Sequence, residues 1–320
     1  NPALPLHRRL YEEQLTPAPE GSVQPVENLA TGGAIHIRTQ QGADIALCLD
    51  FGRILSGYPC FEIDARGGEV IEIACSERLP DEWCPSGAAK DARIVRMPLL
   101  GKDAHLCSYT ARPGAQTFRR FEWCALRYMH VVVRNAPEGV AIRNLGAIQT
   151  HHPVTEDNSF SCSDPMLTKL WALGAYTLKQ CMQDGWIDCP SREQRQWLGD
   201  VTVEHLAAWA AFGPSAAPLT AKYLIQAAES QRPDGLTQMY APGDHGDNKL
   251  LIPDWTLQWI LCAADYWALT ADAETIETIW PSIQKALLWF DRVAGPHGLI
   301  VDLPNTHFMD WAGVGRAHQA

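Results

Sequence analysis

The sequence predicts a multidomain β + α protein: an antiparallel β-sandwich over residues 1–155, then a toroid of helices over 156–320. Three observations predict it. Apolar residues alternate with a period of two up to about residue 155 and follow a helical period afterwards. Gly- and Pro-rich turns punctuate the first part, with no helical stretch between them. In the second part, long loops loaded with Asp, Gly, Pro and aromatic residues join the helical stretches.

In the first part, "ADIALCLDFG" (43–52) sets Ile45, Leu47, Leu49 and Phe51 against Ala46, Cys48 and Asp50. The Val- and Ile-rich runs "EVIEIACSERL" (69–79), "RYMHVVVRN" (127–135) and "GVAIRNLGAIQT" (139–150) read as further strands. Gly67-Gly68, Pro113-Gly114 and Pro137-Glu138-Gly139 read as their turns. The second part opens at Asp164-Pro165, an N-cap followed by a first-turn proline. Leu167, Leu170, Trp171, Gly174, Leu178, Cys181 and Met182 then fall on one helical face, predicted to be buried. Further helices are expected at about 200–212, 216–231, 254–270 and 273–294. Pro281 is expected to open a new helix within the last, because a mid-helix proline costs about 3 kcal/mol.

Composition narrows the function. With 46% apolar and 20% charged residues, the chain can bury sizeable cores. A net charge of −11 argues against nucleic acid or an anionic membrane surface as partner and fits a neutral substrate. Twelve tryptophans point weakly to carbohydrate, since indole is a platform for the apolar face of a sugar. Ten scattered cysteines without a C-x-x-C pair read as buried thiols in a reducing compartment. No apolar run approaches the roughly 20 residues of a membrane span. "WTLQWILCAADYWAL" (255–269) is broken by Gln258 and Asp265. A cytoplasmic protein is expected, or a periplasmic one if a signal peptide preceded Asn1.

The stretch richest in chemistry is "WIDCPSREQRQWLGD" (186–200). Pro190 keeps Cys189 out of the helical region, so the stretch reads as a loop leading into a helix with Gly199-Asp200 at its cap. Such a loop can aim Asp188, Glu193 and Asp200 into one cavity. Glycoside hydrolysis needs a carboxylic acid to protonate the leaving oxygen and a second carboxylate opposite it. The structural alternatives are specific: Asp200 as a helix cap, Arg192 and Glu193 as a surface ion pair, and the tryptophans as core.

"DCPSREQRQWLGD" (188–200) resembles the signature of bacterial α-L-rhamnosidases, inverting glycoside hydrolases built on an (α/α)6 barrel. "DFGRILSGYPCFEIDARGGEVIEIACSERL" (50–79), "FRRFEWCALRYMHVVV" (118–133), "PDWTLQWILCAADYWALTADAETIETIWPSIQKALLWF" (253–290) and "FMDWAGV" (308–314) are similar to other segments of that family. The resemblance implies that Glu193 is the general acid. It implies that Asp188 and Asp200, with Arg192 beside them, hold hydroxyls of the rhamnose ring. Trp197, Trp255 and Trp311 would form apolar walls able to take the C6 methyl. Asp254 and Asp310 are further polar candidates; for Asp254 a helix cap is the rival reading, and for each Trp the core.

Glu193 is followed by Gln194, where many family members have a second acid and one residue more before the Trp. The family's general base is a Glu late in the barrel, which falls beyond Ala320. About five helices cannot close a ring of hairpins, so the chain is expected to carry only the first part of the barrel. The expected partner is a rhamnose-containing glycoside or oligosaccharide, with no cofactor, and a homodimer is a family-level expectation. The rival readings are another six-hairpin glycosidase, a polysaccharide lyase, or a non-catalytic sugar-binding protein that uses the sandwich as a lectin-like module.

Other constellations carry less. His151-His152-Pro153 lacks a third ligand at metal spacing and reads as a linker. "APGDHGDNK" (241–249), with Asp244, His245 and Asp247, lacks the order of a calcium loop and reads as a substrate-rim loop. His307 is a loop residue able to bond a sugar. No phosphate loop or nucleophile elbow is present.

Overall fold

The computed structural model describes residues 23–24, 28–40, 44–77, 105–155, 158–243 and 251–300. They form two compact units that divide between Thr150 and His151.

The first unit is one antiparallel sheet of eight strands, with a one-turn helix α1 (Asn28–Thr31). The strands are β1 (Val23–Gln24), β2 (Ile35–Ile37), β3 (Ile45–Ala65), β4 (Val70–Ser76), β5 (Leu106–Thr110), β6 (Gly114–Arg119), β7 (Cys124–Arg134) and β8 (Val140–Gln149). Their order is β1-β2-β8-β3-β7-β4-β5, with β6 also paired to β3. β3 is twice the length of the stretch the alternation marked. It does two jobs: residues 45–57 pair with β7, whereas residues 57–64 pair with β8 and 60–65 with β6. The change is prepared by a break in register between Asp50 and Leu55, where Gly52 takes φ 75°. Asp50 holds that break by accepting the Gly52 N–H at 2.8 Å and a two-pronged bond from Arg127 at 2.9 and 3.1 Å. At Gly57 the strand is so closely flanked that a Cβ would lie 2.7 Å from the Ile148 carbonyl oxygen.

Alternate residues of these strands, including Phe61, Ile63, Ile71, Ile73, Val131, Val133 and Ile142, form a single core. At the end of the central strand β7, Arg134 bonds Asp44 beside β3 and the fully buried Glu72 of β4, 2.7 Å away. Burying Glu72 is tolerated because a guanidinium meets it there.

The second unit is helical: α2 (Pro165–Cys181), α3 (Leu198–Phe212) with a 3-10 turn (Gly213–Ala216), α4 (Ala217–Glu229), α5 (Pro253–Thr270) and α6 (Ala273–Val293). Asp164 caps α2 as read, accepting the Met166 N–H at 2.8 Å. α3 is the most buried helix by position, with Leu198, Val201, His205, Ala208, Ala211 and Phe212 inside. It packs on α5, and Trp186, Tyr223 and Trp259 complete the core around them. Trp259 sits fully buried because its indole N–H reaches the Leu224 carbonyl at 3.1 Å.

Two expectations for this unit are corrected. α6 runs through Pro281 without a break. Pro281 and Glu277 both lie on the exposed face, so water meets the carbonyl that loses its partner. Burial of Ile279, Ile283, Ala286, Trp289 and Phe290 on the opposite face outweighs the penalty. In α2 the predicted face is covered only toward its C-terminal end, where Trp171, Leu178 and Met182 join the core, whereas Leu167 and Leu170 are 49% and 53% exposed. Leu170 instead lines an open apolar groove of ≈ 620 Å³ between α2 and α3.

Candidate active site

The stretch between α2 and α3 folds back on itself and is tied to a second loop. The Asp188 amide donates to the Arg195 carbonyl, and the Arg195 amide donates to Asp188 Oδ1, both at 3.1 Å. Residues 190–193 make the turn between them, and Gln194 completes it at φ 54°. Gln194 Nε2 returns a bond to the Pro190 carbonyl at 2.9 Å. The strand-like end of the stretch pairs with residues 239–241. Leu198 N–H donates to the Met239 carbonyl at 3.0 Å, and Ala241 N–H to the Gln196 carbonyl at 3.2 Å.

Gln196 is the hub of this arrangement. Its Oε1 accepts the Trp186 N–H at 2.8 Å, and its Nε2 donates to Gln226 Oε1 at 2.9 Å and to the Ala241 carbonyl at 2.6 Å. Gly185 is the residue it passes, where a Cβ would stand 2.8 Å from that Oε1. Nothing in the local pattern marks Gln196, because its partners come from three separate segments.

On this frame Glu193 is held by both oxygens. Trp197 Nε1 donates to Oε2 at 2.6 Å, and Arg192 Nη2 lies 2.8 Å from Oε1. Arg192 also reaches within 4.0 Å of Asp188 Oδ2. The Asp188 side chain is only 8% exposed, against 29% for Glu193 and 46% for Arg192, so the acids face a partly sheltered surface and not bulk water. Trp197 stands edge-on to Trp255, 5.1 Å away, and to Tyr240, 4.9 Å away. Arg195 stacks over Tyr240 at 4.4 Å. Trp255 reaches this position because residue 199 is glycine: a Cβ there would lie 2.6 Å from its indole nitrogen.

Asp188, Arg192, Glu193, Trp197 and Trp255 are therefore one connected cluster. Asp200 and Asp254 stand in the first turns of α3 and α5, at the ends that Trp197 and Trp255 bring together. Neither aspartate is a helix cap. α3 begins at Leu198 with Trp197 in the cap position, and α5 begins at Pro253 with Ile252 there. Each carboxylate instead gains from the positive end of its helix. The Arg192–Glu193 ion pair is present, and it lies inside the cluster. Trp197 and Trp255 are half-buried, unlike the fully buried Trp186 and Trp259, and Trp255 also packs against the helical core. Asp310 and Trp311 lie outside the described residues, as do Asp244, His245, Asp247 and His307.

Tyr240 and Glu204 had escaped the sequence reading. Tyr240 offers no local signal, since it joins the cluster across more than forty residues. Glu204 does: it is four residues after Asp200 and hence on the same face of α3. Its Oε2 is buried without a partner. Burial, and then the negative charges of Asp200 and Asp188, push its carboxyl well above the usual range. Among the described residues, no group of three or more His, Cys, Asp or Glu could hold a metal ion.

A helical unit that carries acids, an arginine and edge-on indoles in the loop between two helices has the arrangement expected of a helical-hairpin glycosidase domain, and the class rests on a match to the family model. Residues 155–319 match the model of the bacterial alpha-L-rhamnosidase 6 hairpin glycosidase domain. The chain belongs to that family. An alpha-L-rhamnosidase of Formosa agariphila is 24% identical over 166 residues, which are 50% of this chain and 16% of the relative. The crystal structure of a GH78 family rhamnosidase of Bacillus sp. GL1 superposes with a TM-score of 0.74 at 26% identity, covering 98% of this chain and 29% of that one. A Klebsiella oxytoca rhamnosidase with rhamnose bound has the same fold, at a TM-score of 0.63 and 19% identity over 90% of this chain and 56% of that one. The chain thus spans under a third of the first two relatives.

Proposed function

We propose that this chain carries the proton-donating side of an inverting α-L-rhamnosidase site. The observation that carries the reading is the place of Glu193 in the segment matched to the family, where Trp197 and Arg192 orient its carboxyl in one cluster with Asp188. Glu193 protonates the glycosidic oxygen as the bond to the aglycone or next sugar breaks through an oxocarbenium-like state. Asp188, Asp200 and Arg192 hold ring hydroxyls, Asp254 adds a polar contact, and Trp197 and Trp255 take the apolar face and methyl of the sugar. A carboxylate that the resemblance places after residue 320 activates the water on the opposite face. In this reading residues 1–155 form a sandwich-like module and 156–320 the first hairpins of an (α/α)6 ring. The nine free cysteines among the described residues fit a reducing, cytoplasmic setting.

The test is Glu193→Gln in the enzyme that contains this chain. Turnover of an alkyl α-L-rhamnoside should fall by about 10²–10⁴ with the circular dichroism unchanged. An activated aryl rhamnoside, whose leaving group needs less protonation, should lose much less. Equal losses on both substrates, or near-normal turnover, would remove Glu193 from the role of acid. Proton NMR of the first-formed sugar should show the β anomer. An ultraviolet-absorbing unsaturated product would instead mark a lyase. Sugar binding without turnover that survives deletion of residues 160–320 would mark a lectin-like module.

A further inference from the structure

Glu204 is an acid that the mechanism above leaves unused. It lies one helical turn below Asp200 on α3 and shares its face. Its Oε2 is buried and has no hydrogen-bond partner. Around it are the walls of the α2–α3 groove, made by Leu170, Trp171, Gly174, Leu178 and Val203, all without charge. From α4, buried Tyr223 turns its hydroxyl to donate to the Leu198 carbonyl at 2.8 Å, so it offers Glu204 no proton. From α5, Asp265 lies 3.9 Å from the neighbouring His205, whose Nε2 has no hydrogen-bond partner. The charges that act on Glu204 are those of Asp200 and Asp188, both negative.

Glu204 itself lines that groove half-buried, but its Oε2 is buried, with no cation beside it and two carboxylates nearby, which disfavours the ionised form. We propose that Glu204 is a positioning residue that keeps a proton beneath Asp188 and Asp200, so that no third negative charge disturbs them as acceptors for sugar hydroxyls. This deepens the reading given under Proposed function and rests on it for the identity of the sugar. The logic is that of any crowded set of acids: the proton goes to the member whose buried oxygen has no donor or cation beside it, and relieves the others. Glu204 does not touch substrate. It acts by leaving out a third negative charge. When pH rises far enough to ionise it, a third negative charge appears behind Asp200, and repulsion among the carboxylates disturbs the geometry in which Asp188 and Asp200 hold the sugar.

Two measurements on the protein test this, and the first needs no ligand. The difference infrared spectrum of wild type minus Glu204→Gln at neutral pH should contain the carbonyl stretch of a protonated carboxylic acid. Its absence would overturn the proposal, whatever sugar the protein binds. The second is calorimetric affinity for L-rhamnose across the alkaline range, in the enzyme containing this chain. Glu204→Gln mimics the protonated form, so its affinity at neutral pH should stay within about twofold of wild type. The alkaline weakening seen in wild type should disappear. A loss beyond about tenfold at neutral pH, with circular dichroism unchanged, would show that the charge on Glu204 is used and would refute the assignment. Glu204→Asp, shorter but still ionisable, should keep an alkaline decline. If wild type binds no rhamnose, the failure lies in the rhamnosidase reading, and the infrared result still decides the proton on Glu204.

Discussion

Glu193 has one oxygen on an indole N–H and the other on a guanidinium, and the two holds differ in kind. The indole fixes direction, while the guanidinium adds charge. Trp197→Phe separates them, because it deletes the donor and keeps a ring against Trp255. Hydrolysis should fall by about tenfold, the worth of one positioning hydrogen bond, while the melting temperature moves little. A loss as large as that of Glu193→Gln would mean that the ring itself, and not its N–H, does the positioning. At this scale much was legible. Four members of the cluster, Asp188, Arg192, Glu193 and Trp197, lie in "DCPSREQRQWLGD", and its resemblance to the family signature marked them. What was not legible was how they are held. Gln196 makes three side-chain bonds to residues 186, 226 and 241, and no window of sequence contains them all.

Elements explain why that loop keeps its shape. Removing the Gln196 side chain leaves a buried N–H at Trp186 and a buried carbonyl at Ala241 unpaired. Gln196→Ala should therefore cost about 3 kcal/mol, measured by urea denaturation. Gly199→Ala should displace Trp255 at a cost of about 1–3 kcal/mol, and quenched or shifted tryptophan emission would report the movement. An unaltered spectrum would contradict the close approach described here. Helix limits were read from the sequence to within a few residues, because caps such as Asp164 act locally. Pro281 misled because its cost is local, whereas the compensating burial along α6 comes from packing. β3 misled for the opposite reason. Its bulge at 50–55 interrupts the alternation although the strand continues, held by the Arg127–Asp50 pair from another strand.

For the whole molecule, two separate cores predict two unfolding steps in calorimetry. Each step should carry its own pH signature. In the sheet, His130 is buried with Nε2 unpartnered, and burial alone lowers its pKa from 6.5 to about 4. Below 6.5 the unfolded chain takes a proton that the folded sheet refuses until about 4, so the sheet step should weaken over that acid interval. His130→Phe should flatten it. In the helices, Glu204 gives the reverse sign. Its raised pKa means that the folded state keeps a proton the unfolded chain has released, so stability declines as pH rises above the ordinary carboxylate range. Glu204→Gln should raise the helical step at neutral pH and lose that advantage in acid. The sequence could announce neither group, since burial is a property of the assembled units.

The bare leucines of α2 have a practical sequel. Met166, Leu167, Leu170 and Leu173 present a greasy flank on a chain whose net charge of −11 otherwise keeps copies apart. Salt screens the second effect and strengthens the first. In concentrated ammonium sulfate, static light scattering from this polypeptide should turn from mutual avoidance to clumping. Lysine at positions 167 and 170 should postpone the turbidity.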